Sequence, residues 1–162
     1  MAAVDYFLKL DGIEGEATGK GHEKEIDLAS FSWGAANAGT HGAGGGGGAG
    51  KVSIQDLHVV KHTDKASTKL FLFCASGKHV ATGLLTVRKA GGDQQEYLKI
   101  KLTDILVSSY HVGGTNSGEV IPTEQVSLNF AKIQVDYSPQ KADGTLDAAL
   151  SAGWDVKANV KV

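Results

Sequence analysis

The chain has 162 residues, the length of one ordinary domain, and its hydrophobic content of 41% and charged content of 21% are close to globular averages. These values exclude a disordered or fibrous chain, and this length can bury a stable core without disulfides or metals. The 16 basic and 18 acidic side chains leave a net charge of -2, which removes the electrostatic argument for binding nucleic acid or an anionic membrane. We expect a single domain over residues 1–162, with no secretory signal peptide and no membrane-spanning segment.

The first half of the chain has the two-residue periodicity that is typical of β-strands. Apolar residues alternate over 4–10, over 25–33 and over 52–60, which predicts three strands. Between the second and the third, residues 38–50 form a low-complexity loop with five consecutive glycines at 44–48. With 22 glycines and 2 prolines, the chain suits a sheet-rich fold with glycine turns better than a flexible linker.

One helix is predicted after the third strand. Thr63 and Asp64 offer an N-cap, and Gly77 is a suitable residue to end the helix. Between them, apolar residues recur at helical spacing, namely Ala66, Leu70, Phe73 and Cys74. Cys74 lies on this apolar face, so we interpret it as a small buried hydrophobe rather than a nucleophile, and it has no second cysteine with which to form an internal disulfide.

Four further strands are predicted over 80–89, 95–110, 124–137 and 154–162, the last of them half buried because its alternation is so regular. Each of the two longest strands changes its apolar face partway along. The even-numbered residues Leu98, Ile100 and Leu102 give way to Ile105 and Val107, and Val126, Leu128 and Phe130 give way to Ile133, Val135 and Tyr137. Such a switch indicates a bulge or a bend between two packing surfaces. The pattern predicts a mainly β fold, a β-barrel of about seven strands in two sheets with one flanking α-helix.

The glycine run invites comparison with a phosphate-binding loop. Residues 45–51 fit that motif as far as Lys51, but Val52 follows where the motif needs Ser or Thr to hold magnesium. The motif also needs a helix after the glycines, whereas a strand is predicted there. We therefore expect no nucleotide and no other cofactor, and we interpret the run as a flexible or contact-forming loop.

The six histidines do not have the spacing of a metal site. His58 and His62 are four residues apart, but in a strand this spacing separates the side chains by about 13 Å. No cysteine or carboxylate accompanies them at ligand spacing, so we interpret the histidines as scattered surface or turn residues. No acidic pair is marked as catalytic, and neither a metal site nor an enzyme is predicted. Phe31, Trp33 and Trp154 are interpreted as core or interface anchors.

Several stretches of the chain match one family in the same order. They are the residues 4–16, 22–34, the glycine run leading into 51–56, 74–79, 85–92, 96–98, 127–137 and 153–160. With these stretches the chain resembles, from end to end, the haemolysin-coregulated protein (Hcp) family of type VI secretion systems. It departs from the family pattern chiefly around 35–43 and 112–121, in two predicted loops.

The resemblance implies a β-barrel like that of phage tail tubes, which forms homohexameric rings that stack into a hollow tube. A sheath expels such a tube from a Gram-negative cell, and effectors ride inside the ring. The implied partners are further copies of the chain, the sheath, the spike protein at the tube tip and effector proteins. The implied location is the cytoplasm before firing and the medium or a target cell afterwards.

Two sets of residues are candidate sites in such a tube. Ser30 and Ser32 are expected to face the ring lumen, because small polar residues interrupt an otherwise apolar face of their strand. The glycine run is expected to contribute to ring stacking, because glycine backbone can approach another backbone closely. The run consists of Gly44, Gly45, Gly46, Gly47 and Gly48.

Two other classes of protein stay open on the sequence. A small-molecule-binding β-barrel without a transport role requires a closed lumen large enough for its ligand. An enzyme requires a convergent polar site, which the sequence does not reveal. The size of the protein in solution separates these classes, because the tube interpretation demands a ring and the others are compatible with a monomer.

Overall fold

The structure is a computed structural model, and it describes residues 3–39, 41 and 50–162. These residues form eleven strands and one helix. In chain order they are β1 (Val4–Leu10), β2 (Ile26–Leu28), β3 (Ser30–Ser32), β4 (Ala35–Asn37), β5 (Val52–Ile54), β6 (Leu57–His62), α1 (Ser67–Ser76), β7 (His79–Lys89), β8 (Glu96–Gly113), β9 (Thr123–Tyr137), β10 (Leu150–Asp155) and β11 (Val160–Lys161). The fold is therefore mainly β in two sheets with one helix, as predicted.

The strands of the larger sheet pair in a barrel-like order. Antiparallel pairings run from β1 through β7, β8, β9 and β6 to β3, and β2 pairs with the other side of β1. Only Ala29 separates β2 from β3, and its N–H donates to the carbonyl of Val60 over 2.7 Å. The segment from β2 to β3 therefore joins the two sides of the sheet, while β4 and β5 form a separate two-stranded hairpin.

The core lies on the inner side of the larger sheet, and alternate side chains along its strands point into it. Every second residue is buried where a strand has one face inward. The buried apolar side chains on the strands are Phe7, Leu8, Leu10, Ile26, Leu28, Leu57, Val59, Val80, Leu85, Val87, Ile100, Leu102, Ile105, Val107, Val126, Leu128, Phe130 and Ile133. Burying one such side chain stabilises a fold by about 1.5–3 kcal/mol before the entropy of ordering is counted.

The predicted change of apolar face in the two long strands is confirmed. In β8, both Leu102 and Ile105 are buried, and Asp104 between them has a φ of 55°. In β9, both Phe130 and Ile133 are buried, and these residues pair with Ile105 and Leu102, respectively. The two strands thus change face at the same level, so that their two halves pack on different parts of the core.

The strand count differs from the predicted seven because several predicted strands are divided. The predicted strand over 25–33 is split at Ala29 into β2 and β3, and that over 52–60 is split into β5 and β6. The sequence pattern also did not predict β4, whose three residues are all exposed and therefore carry no alternation.

The predicted strand over 154–162 is wrong, because these residues turn back on themselves. Residues 156–159 form a turn, in which Asn159 has a φ of 57° and Asp155 Oδ1 accepts the N–H of Ala158. Trp154 then pairs with Lys161 across a short hairpin of β10 and β11. The half-buried state predicted for this strand is also wrong in part, since Val160 and Val162 at its end are mainly exposed.

The predicted helix is confirmed, but it begins later than expected. Gly77 ends it with a φ of 71°, and its N–H donates to the carbonyl of Phe73 over 3.0 Å. The helix begins at Ser67 because Asp64 organises the turn before it, accepting the N–H of Ala66 on its carboxylate. Cys74 is half-buried against the core. Among the described residues, no helix is long and apolar enough to cross a membrane.

Candidate functional site

The two predicted lumen residues lie on an exposed polar face of β3, β6, β8 and β9. Ser30 and Ser32 are exposed, while Phe31 between them turns inward and contacts Tyr6 edge-to-face, with 5.2 Å between ring centroids. The alternation of β3 therefore separates two exposed hydroxyl groups from an aromatic ring that packs against the core.

Strand register places further polar residues beside these serines. One row across the strands consists of Ser32, His58, Ser127 and Ser109. A second row consists of Ser30, Val60, Gln125 and His111. Side chains directly opposite each other in neighbouring strands share a face. We call these eight residues, of which only Val60 is apolar, the polar face. It contains no aspartate, glutamate, lysine or arginine.

Hydrogen bonds hold part of the polar face and its border in place. His58 Nδ1 and Ser127 Oγ lie 2.7 Å apart. At the border, the carboxylate of Asp56 accepts from Ser108 Oγ over 2.6 Å and from Asn129 Nδ2 over 2.9 Å. These contacts leave hydroxyl and amide groups exposed to form hydrogen bonds with another molecule.

The His58–Ser127 pair does not have the geometry of a hydrolytic site. A base that activates a serine is itself oriented by a third group. In the part of the chain that the structure describes, the nearby carboxylate of Asp56 is bonded to Ser108 and Asn129 and not to His58. The side chains of the polar face can donate and accept hydrogen bonds, and among the described residues Asp56 does not orient His58 against Ser127.

The other predicted site lies outside the described residues. Gly44, Gly45, Gly46, Gly47 and Gly48 all belong to the segment 42–49. What the structure does describe is the hairpin on either side, in which β4 and β5 pair from Ala35 with Ile54 to Asn37 with Val52. The residues after Lys51 are thus a strand, unlike the helix that follows the glycines of a phosphate-binding loop.

A buried polar network at the beginning of α1, which we call the Lys61–Glu124 network, was not predicted from the sequence. The side chains of Lys61 and Glu124 are 1% and 0% exposed, and they lie opposite each other on β6 and β9 with 2.8 Å between Nζ and Oε1. Lys61 Nζ also contacts Asp64 Oδ1 at 2.8 Å and the carbonyl of His62 at 2.9 Å. On the other oxygen of Glu124, Oε2, the hydroxyl groups of Thr63 and Tyr110 donate over 2.9 and 2.7 Å.

These contacts shift two pKa values in opposite directions. Burial alone would raise the pKa of Glu124, but hydrogen bonds, foremost that from Lys61, lower it overall. Burial and the hydrogen bond to the Glu124 carboxylate raise the pKa of Tyr110 to about 12. The network is therefore stable with Glu124 ionised and Tyr110 protonated. The signal available in the sequence was that Lys61 follows Leu57 and Val59 in alternation, on the inward face.

His22 lies in a turn, as the interpretation of the histidines allows, but it is buried, with 6% of its surface exposed. Its Nδ1 lies 2.9 Å from Glu25 Oε2, and its Nε2 contacts Glu96 Oε1. The ring stacks on Phe7, with 4.4 Å between centroids, and the guanidinium of Arg88 lies 4.7 Å from the same phenyl ring. This cluster attaches the segment between β1 and β2 to β7 and β8. No group of three histidine, cysteine, aspartate or glutamate side chains that could hold a metal occurs in the described residues.

Known proteins of one family match this chain along nearly its whole length. The family described as "Type VI secretion system effector, Hcp" matches residues 7–137. Protein hcp1 of Pseudomonas aeruginosa is 50% identical over 161 residues, covering 98% of this chain and 99% of that protein.

Solved structures agree in fold as well as in sequence. A structure described as that of a type six secretion system protein is 32% identical and has a TM-score of 0.94, with 99% of this chain and 100% of the other covered. The crystal structure of Hcp1 from Salmonella typhimurium is 35% identical, with a TM-score of 0.80 and the same coverage. The chain therefore belongs to the Hcp family, the structural tube proteins of type VI secretion systems.

Proposed function

We propose that six copies of this chain form a ring and that the rings stack into a hollow tube, which carries effectors out of the cell. The observation that carries this proposal is the match to Hcp proteins over almost the full length of both chains, in sequence and in fold. We propose that the chain acts as one domain over 1–162. The alternative, a small-molecule-binding barrel without a transport role, finds no support among these relatives.

Exposed apolar side chains support contact between copies of the chain. One group lies on α1 and on the segment between β8 and β9, namely Phe71, Leu72, Val120 and Ile121. Another lies on the last two strands and the C-terminus, namely Leu150, Val160 and Val162. Contact between two different surfaces of neighbouring copies is what generates a closed ring.

We assign Ser30 and Ser32 to the lumen of this ring. Both are exposed, and both lie in the polar face, which has hydrogen-bonding groups and no acidic or basic side chain apart from its histidines. A wall of this kind suits transient binding of different protein surfaces, because neutral hydrogen bonds exchange readily with those to water. An effector would bind there without a requirement for a particular charge.

We assign the glycine run Gly44–Gly48 to contact between stacked rings. In support, the β4–β5 hairpin that borders the run pairs with no strand of the larger sheet. Glycine backbone presents no side chain that has to be desolvated when two backbones meet. The sheath and the spike protein at the tube tip are the further partners that this assembly requires, and export through it would take the folded chain from the cytoplasm to the medium or a target cell.

Light scattering on a size-exclusion column tests the ring. The mass of the eluting particle should be about six times the chain mass of 16.8 kDa at micromolar concentration. Because heterologous contacts that do not close give open filaments of varying length, a single peak with the mass of six chains identifies a closed ring. A monomer at every concentration would contradict the proposed assembly.

A further inference from the structure

We propose that the Lys61–Glu124 network is an acid-sensitive latch that holds α1 against the barrel. The network joins four parts of the fold at one point: Lys61 on β6, Glu124 on β9, Tyr110 on β8 and the turn that leads into α1. Thr63 and Asp64 of that turn bond to Glu124 and Lys61, respectively. This inference does not depend on the proposed ring or tube.

The helix also contacts the rest of the fold outside the network, through the edge-to-face contact of Phe71 with Tyr110 and a hydrogen bond from Lys69 Nζ to the carbonyl of Gly12. Leu70 and Phe73 are buried on its inner face, and Ala66 is buried just before it, whereas Phe71 and Leu72 are more than half exposed. The first turn has no acidic residue, and no side chain at the N-cap bonds to it. This end is attached in two ways: the N–H of Lys65 donates to Glu16 Oε2, and Lys61 contacts both side chains of the turn that Asp64 and Ser67 form.

Acid removes the buried negative partner of Lys61. When Glu124 is protonated, the ammonium group of Lys61, whose side chain is 1% exposed, loses the carboxylate that is fully buried beside it. A buried charge without a counter-charge is strongly unfavourable, and release of the turn would return it to water. Protonation of Glu124 thus turns the ammonium group of Lys61 from a stabilising partner into a destabilising buried charge.

The direction of this effect follows from the lowered pKa of Glu124. A carboxylate whose pKa is lowered by folding contributes stability that is complete above its ordinary value of 4.5 and is lost as the pH falls through the lower folded value. Tyr110 stays protonated throughout this range, since its pKa is raised to about 12.

Other charged groups lie near the latch. Asp27 on β2 has a raised pKa, from burial first and then from the charges of Asp5 and Asp64, so its protonation in acid relieves some repulsion. On the outside, Glu14 and Glu16 bind Lys65, and Glu119 binds His62. These outer groups are exposed to solvent, which weakens their contribution.

Hydrogen exchange of the intact protein tests the latch. Protection of the amides in 67–76 should be measured at pH 7 and pH 4, each corrected for the intrinsic exchange rate at that pH. We expect exchange in α1 to rise by up to about fourfold at pH 4, the most that a carboxylate with an ordinary pKa of 4.5 can contribute at that pH, while amides in the centre of β8 keep their protection. Unchanged protection of α1 at pH 4, or an equal loss in α1 and β8, would overturn the proposal.

The variant Glu124→Gln imitates the protonated carboxyl and separates the latch from a general effect of acid. It should show fast exchange of α1 already at pH 7 and little further change at pH 4. Glu119→Gln is the matched control, since Glu119 is an exposed carboxylate near the same end of the helix and should behave like the wild type. If Glu124→Gln does not fold, Thr63→Val, which removes one hydrogen bond to Glu124, should show a smaller increase at pH 7. Wild-type exchange of α1 in this variant would count against the proposal.

Discussion

Tyr110 donates a hydrogen bond to the buried carboxylate of Glu124, with 2.7 Å between the two oxygen atoms. Replacing Tyr110 by Phe should lower the free energy of unfolding at pH 8 by about 1.5–3 kcal/mol, the usual size for a hydrogen bond to a charged group. Because folding raises the pKa of Tyr110 from 10.0 to about 12, the wild type keeps this contribution below pH 10 and loses it as the pH rises through 12. The difference between wild type and variant should therefore shrink between pH 8 and pH 11 in urea unfolding followed by circular dichroism. Tyr137→Phe, at an exposed tyrosine, is the control, and an equal effect of both variants would contradict this role for Tyr110.

Replacement of Ser32 distinguishes a residue that lines the lumen from a residue that packs against a neighbouring strand. Ser32→Gln adds a long polar side chain beside His58 on an exposed strand. If Ser32 faces the lumen, the variant should form normal rings but retain a different amount of effector in co-purification. Ser76→Gln, on an exposed position at the end of α1, is the control and should retain the wild-type amount. Loss of the ring itself in Ser32→Gln would show that Ser32 is a packing residue.

At the scale of elements, the segment between β1 and β2 depends on the absence of a side chain at Gly15. A Cβ at this position would meet the carbonyl oxygen of Glu25 and lie 2.7 Å from Ile26 Cα, both of them backbone atoms that cannot rotate away. Gly15→Ala should destabilise the fold by about 1–3 kcal/mol, as overpacking does. Gly91→Ala is the control, since nothing lies within 4 Å of its Cβ and its φ is not in the left-handed region. Equal unfolding midpoints for the two variants in urea would show that the segment adjusts freely.

The glycine run between β4 and β5 gives a prediction about assembly. Shortening 44–48 by two or three residues should leave rings intact and reduce the length and yield of tubes, because the change falls in a hairpin outside the larger sheet. Lys51→Ala should leave tubes unchanged, and neither the wild type nor this variant should bind ATP. Saturable ATP binding that is lost in Lys51→Ala, together with normal tubes from the shortened run, would reverse the interpretation of this segment.

Elements with regular alternation could be predicted from the sequence, and elements without it could not. The change of face in β8 and β9 was visible because apolar residues occupy first even and then odd positions, such as Leu102 and Ile105. The strand predicted over 154–162 spans only the end of β10, the turn and β11, because the turn at 156–159 preserves the alternation of apolar residues, and the beginning of β10 at Leu150 was not predicted. The sequence could place Ser30 and Ser32 on an interrupted face, but it could not place His58 or Ser127 beside them, because that depends on pairing between distant segments. For the same reason the partnership of Lys61 with Glu124, 63 residues away, was not predictable.

At the scale of the whole molecule, family membership rests on the length of the match rather than on any single motif. The chain and Pseudomonas aeruginosa protein hcp1 cover each other almost completely, and the fold agrees with a TM-score of 0.94 with a solved type six secretion system protein. The stretches that carried the resemblance include the cluster around His22, since His22 lies in 22–34 and Arg88 in 85–92, whereas Lys61 and Glu124 lie outside them. The His22 cluster attaches the segment between β1 and β2 to β7 and β8, which agrees with the structural function of the family.

Negative-stain electron microscopy of the purified chain tests the tube most directly. Class averages of the wild type should show rings with six-fold symmetry and an open centre, and at high concentration side views should show rings stacked into tubes. Under the same conditions, the variant with a shortened glycine run should show rings but few stacks. Images that contain only particles of single-chain size, with no ring at any concentration, would contradict the assignment of this chain as a tube subunit.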